Sequence, residues 1–214
     1  MRCELVVLAL TALTALPSQA ALTQATATPA GATGTATPLG APRMPAEAYG
    51  YRLVPSATRQ DTSGTVRYQY VRHENDVITV FVAPYPPGEA LRTTDDTTNF
   101  VLRDVSNHYS ELYDAQKSGE LSALAVRHFG QETLRAGPSS IRAAALWVDA
   151  RSVGSSVPVS TYYATYALPT RVVRIAANSP AFVARFEETG VFSRFLVTGM
   201  VKTGPTTASV TSGG

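Results

Sequence analysis

The chain has 214 residues, a formal net charge of +2, and 44% hydrophobic against 16% charged residues. That is about one globular domain with a lightly charged surface, and the charge is too small to argue for nucleic acid or anionic lipid. One cysteine, Cys3, rules out a disulfide framework, and the basic residues are nearly all arginine, with Lys117 and Lys202 the exceptions.

The first 20 residues read as a cleaved secretory signal. Arg2 opens a short basic start, an apolar run follows from Leu5 to Leu16, and Ser18-Gln19-Ala20 supplies the small residues a signal peptidase reads. The run falls short of the roughly 20 apolar residues that span a bilayer. Cleavage would remove Cys3 and leave a thiol-free mature chain outside the cytoplasm, periplasmic or extracellular. Residues 21–48 read as a disordered tether, since 22 of 28 are Ala, Thr, Pro or Gly and none is aromatic. A single α+β domain is expected over residues 49–202, and a second disordered tail over 203–214.

Within that domain, Tyr51 to Val54 is a short apolar start. Val66, Tyr68 and Tyr70 alternate with polar residues, a turn follows at His73 to Asp76, and Val77 to Ala83 is apolar on both faces, which predicts a hairpin. Thr94 as cap, then Asp95 and Asp96, opens a helix whose stripe is Val101, Leu102, Val105, Tyr109, Leu112 and Tyr113 and which stops after Lys117 at Gly119. In residues 120–136, Leu124, Val126 and His128 alternate as in a strand while Leu121, Leu124 and His128 also fit a helix, with a strand favoured in the second half. Ile141 to Arg151, Val159 to Leu168 and Arg171 to Ala176 read as strands of an antiparallel meander. Ser179-Pro180 reads as the opening of a last helix, with Phe182, Phe186, Phe195, Leu196 and Met200 as its apolar face and a kink or break at Gly190.

Strands, helix, strands, helix without βαβ alternation gives the α+β class with a mainly antiparallel sheet. The hairpin from Thr65 to Ala83, the helix from Asp95 to Ser118, the hairpin from Val159 to Ala176 and the closing helix resemble the PsbP-like fold, an antiparallel sandwich with one long inserted helix and a C-terminal helix. The resemblance spans most of residues 50–202 and implies accessory or binding roles more often than catalysis.

No nucleophile elbow, phosphate-binding loop or His-Glu-x-x-His pair is present, so no catalytic residue, cofactor or metal site is expected. The candidate binding residues are His128, Glu132, Trp147, Tyr162 and Tyr166. His128 and Glu132 would share a strand face, where an imidazole and a carboxylate could bind metal or act as base and orienter, or form a plain surface pair. Tyr162 and Tyr166 with Trp147 could stack a sugar or peptide, or simply pack the core. His73, Glu74 and Asp76 read as turn residues and His108 as a helix-surface or core-edge residue. Arg171 and Arg174 would point to opposite faces. The expected function is an exported, non-catalytic binding or accessory domain for an envelope protein or cell-wall component, with a small hydrolase or metal-dependent enzyme built on His128 and Glu132 as the alternative.

Overall fold

The computed structural model of the protein describes residues 42–73, 76–89, 91–180 and 186–203. The signal segment, most of the Ala/Thr/Pro/Gly-rich stretch, Glu74, Phe182 and the tail from residue 204 lie outside the described residues. Among the described residues nine strands form one sheet: β1 (Glu47–Ala48), β2 (Tyr51–Leu53), β3 (Arg59–Gln60), β4 (Val66–His73), β5 (Asp76–Ala83), β6 (Leu121–Ala136), β7 (Ser139–Ser152), β8 (Val159–Ala167) and β9 (Val172–Pro180). Helix α1 (Thr94–Lys117) is inserted between β5 and β6, and α2 (Phe186–Thr203) follows β9. Every pairing is antiparallel, in the order β1-β2-β4-β5-β9-β8-β7-β6 with β3 beside β4. This is the α+β architecture that the order of predicted elements implies.

The helices lie on opposite faces of the sheet, and two neighbouring tyrosines of β8 show it. Successive strand side chains point to opposite faces. Tyr162 packs against Phe186 of α2, while Tyr163 stacks on His108 of α1 with ring centroids 4.1 Å apart. Under α2 the core takes Tyr70, Ile78, Val80, Tyr166, Ile175, Phe192, Leu196 and Val197. Under α1 it takes Val101, Val105, Leu112, Leu146 and Val148. Without any disulfide, these two layers of burial are the main source of stability.

Several expectations need correction. The α1 cap is Thr93, not Thr94: its Oγ1 accepts from Asp96 N at 3.0 Å, and the Asp96 carboxylate accepts from Thr93 N at 3.0 Å, a reciprocal capping box. Tyr113 stands outside the buried stripe at 43% exposed, and His108 takes a place within it. Residues 121–136 are strand throughout. Ser179 and Pro180 end β9 rather than open α2, because cross-strand pairing with Ser160 and Val159 claims their backbone. Helix α2 runs undivided through Gly190, and the buried face uses Phe192 where Phe195 had been expected; Phe195 is exposed. The described residues ahead of β1 are tied to the sheet, since Tyr68 and Tyr70 donate from Oη to the carbonyls of Pro42 (3.0 Å) and Pro45 (2.9 Å).

Candidate functional site

Register brings the five candidate residues onto one face, the α2 side of strands β6, β7 and β8. His128 pairs with Trp147 and Trp147 with Tyr162, so the three form a row across the strands. Two pleats along, Glu132 pairs with Ala143 and Ala143 with Tyr166. Between the rows lie Gly130, Ala145 and Ala164, small enough to admit α2. His128 reaches this face through a bulge at Arg127, where the register slips between Val126 and His128. The alternation of Leu124, Val126 and His128 is therefore broken: the first two face α1 and His128 faces α2.

The protein's own side chains fill the row. Phe186 lies flat on Trp147 at 4.7 Å and 9°, and also meets the rings of His128 and Tyr162, each at 5.3 Å. The imidazole of His128 folds over Gly130, where an added Cβ would sit 2.9 Å from Nε2. The hydroxyls of Tyr162 and Tyr166 lie 3.3 Å apart. Burial pushes both phenols up in pKa, Tyr166 furthest, because the charged form would lose its hydration. Glu132 faces Arg194 of α2 at 3.4 Å.

Chemically this is a packed aromatic cluster with an ion pair beside it. His128 and Glu132 do share a face, but four residues of extended strand set their Cα atoms about 13 Å apart, too far to grip one proton or one metal ion. Among the described residues no group of three or more His, Cys, Asp or Glu converges to hold a metal. At the β4–β5 turn, Asp76 is a buried residue occupied by Tyr51 Oη (3.0 Å), Ser179 Oγ (3.2 Å) and Arg72 Nε (2.7 Å).

The sequence reading missed a second polar cluster, on the α1 side. Asp104, on the flank of the α1 stripe, accepts from Arg174 Nε (2.8 Å) and Nη2 (2.7 Å), Thr165 Oγ1 (2.6 Å) and Tyr163 Oη (3.2 Å). Burial alone would raise the Asp104 pKa, but the bonds and charge of Arg174, then Thr165 and Tyr163, outweigh it and hold the carboxyl below its ordinary value. Next to it His108 is buried, with Nδ1 3.6 Å from Glu111 and no partner for Nε2 among the described residues. A carboxylate at the margin of a helical stripe and an inward-facing Arg in a late strand were the available signals, and they are separated by 70 positions in the chain.

Strand β6 forms one end of the sheet, and among the described residues no strand pairs with its outer side. Bulges interrupt it at Ser122 and Arg127, and it runs regularly from His128 to Ala136. Val126 and Phe129 stand on its α1 face, each 47% exposed. They share that face because the bulge lies between them.

No protein-family model matches the sequence, and no curated protein matches it. Among solved structures the chain is similar to the solution structure of cyanobacterial PsbP (CyanoP) from Synechocystis sp. PCC 6803, with 11% identity and a TM-score of 0.44, over 80% of this chain and 98% of that one. The likeness brings no residue, ligand or partner to this chain. The order expected from the sequence resemblance, hairpin, long helix, meander and closing helix, is the order this chain has.

Proposed function

We propose that the protein is an exported, non-catalytic binding domain that engages an envelope partner through the outer edge of β6. The observation that carries this reading is the regular stretch from His128 to Ala136 with an unpaired outer side, flanked by exposed Val126 and Phe129. A strand edge presents backbone donors and acceptors that an extended segment of another protein can complete, with side-chain pockets adding specificity. The polar groups that a catalytic reading needs are engaged elsewhere: Glu132 by Arg194, and His128 against Phe186. Export rests on the pattern of Arg2, the apolar run and Ser18-Gln19-Ala20. No helix among the described residues is long and apolar enough to cross a membrane.

A photo-crosslinker placed at Gln131 on β6 should trap a discrete envelope protein, while the same group at exposed Ser106 of α1 should not. Substrate turnover by the purified protein that disappears in His128→Ala would overturn the reading in favour of an enzyme. The amino terminus of protein recovered from the envelope should begin after Ala20; an intact Met1 on cytosolic protein would remove the export step.

A further inference from the structure

The short strand β3 sets two arginines against each other. Register places Arg59 of β3 directly opposite Arg67 of β4, on the face of the sheet that α1 occupies farther along. Directly opposed residues of an antiparallel pair hold their Cβ atoms about 4.5–5.5 Å apart on one side of the sheet, and like charges there repel. Neither arginine has a carboxylate partner among the described residues. Arg72, Arg103, Arg127, Arg174 and Arg194 each face an acid; what distinguishes Arg59 and Arg67 is that they stand directly opposite each other. Arg67 is half-buried, and its Nε is enclosed yet meets no acceptor. The nearest acid along the chain, Asp61, is spent within the β3–β4 turn, accepting from Ser63 N (2.9 Å), Ser63 Oγ (2.6 Å) and Thr65 N (3.0 Å). On the other side of Arg67, Phe81 of β5 occupies the same row and gives the site an apolar wall.

We propose that Arg59 and Arg67 form a binding site for an oxyanion, a phosphate or carboxylate group seated between the two guanidinium groups on β3 and β4. Paired guanidinium groups suit this ligand because each presents a planar fork of donors that matches two oxygens at once. Binding would cancel the mutual repulsion and give the enclosed Nε–H an acceptor. This site lies at the opposite end of the sheet from β6 and stands or falls independently of that edge.

The test is a titration of the full protein with inorganic phosphate, and separately with acetate, at ionic strength held constant with chloride. Arginine side-chain ¹⁵N NMR should show a saturable shift of the Arg67 Nε–H, and the melting temperature should begin to rise near the same concentration and keep rising with its logarithm, as linkage requires of a ligand that binds only the folded state. Saturation by phosphate alone assigns a phosphate-type ligand, and saturation by acetate as well assigns a carboxylate. Arg59→Gln, at an exposed position, should fold, bind at least roughly tenfold more weakly, and melt no lower than the parent in chloride, because it removes the repulsion. Arg67→Lys keeps the charge without the fork and should also weaken binding. A non-saturating shift that chloride reproduces, or Arg59→Gln binding as tightly as the parent, would overturn the proposal.

Discussion

At the scale of single residues, the main lesson is that position on a face and proximity are separate facts. His128 and Glu132 could be placed on a common face from spacing, but the rows of a sheet keep them apart, and each takes a partner from α2 that lies more than 50 residues on in the chain. Asp104 escaped notice for the same reason, since nothing local announces that Arg174 will arrive beside it. Its carboxyl is nonetheless the group we expect to matter most for pH. The folded pKa lies below the unfolded value of about 3.9, so its stabilisation is complete above that pH and disappears as pH falls through the lower folded value. Asp104→Asn leaves Arg174 partly buried without its counter-charge and should cost about 3 kcal/mol at neutral pH in urea unfolding. The variant should also show a shallower acid-side decline than the parent; an unchanged acid profile would count against this account.

At the scale of elements, the hairpin of β4 and β5 and the helix α1 were legible because their periodicities are long and uninterrupted. The junction of β9 and α2 was not. Ser179-Pro180 has the local chemistry of a helix start, and only pairing with β8 overrides it. In β6 a single extra residue, Arg127, reversed the faces of everything after it, which alternation alone cannot foresee. Two measurements address these elements. Thr93→Ala removes one half of the capping box and should lower stability by about 1 kcal/mol without altering the fold. Trp147 is the lone tryptophan and its indole is covered by Phe186, so Phe186→Ala should red-shift its emission and cost about 1 kcal/mol or somewhat more. Unshifted emission would contradict the stacking of Phe186 on Trp147.

At the scale of the molecule, the tyrosines report on the whole sheet. Burial, helped at Tyr51 by the nearby Asp76 carboxylate, pushes Tyr51, Tyr68 and Tyr85 up to about 12, and Tyr70, Tyr162, Tyr163 and Tyr166 are raised as well. A folded pKa above the unfolded value of about 10 means stability is full below pH 10 and falls as pH climbs toward the folded values. Alkaline titration should therefore give one cooperative step in which ionisation of these seven tyrosines coincides with loss of circular dichroism; ionisation of these seven in a still-folded protein would contradict it. The overall class and the pairing of β8 with β9 could be read from the order of elements, whereas the seating of β9 against β5 could not, because no local pattern links strands that far apart in the chain. That seating has a kinetic consequence. Ala83 closes β5, but its partner does not begin until Val172, so a ribosome working at the usual pace needs roughly 5–20 s to deliver it. For that interval the nascent β4–β5 ribbon waits with a raw apolar border, and a chaperone that shields emerging polypeptides would find its target there.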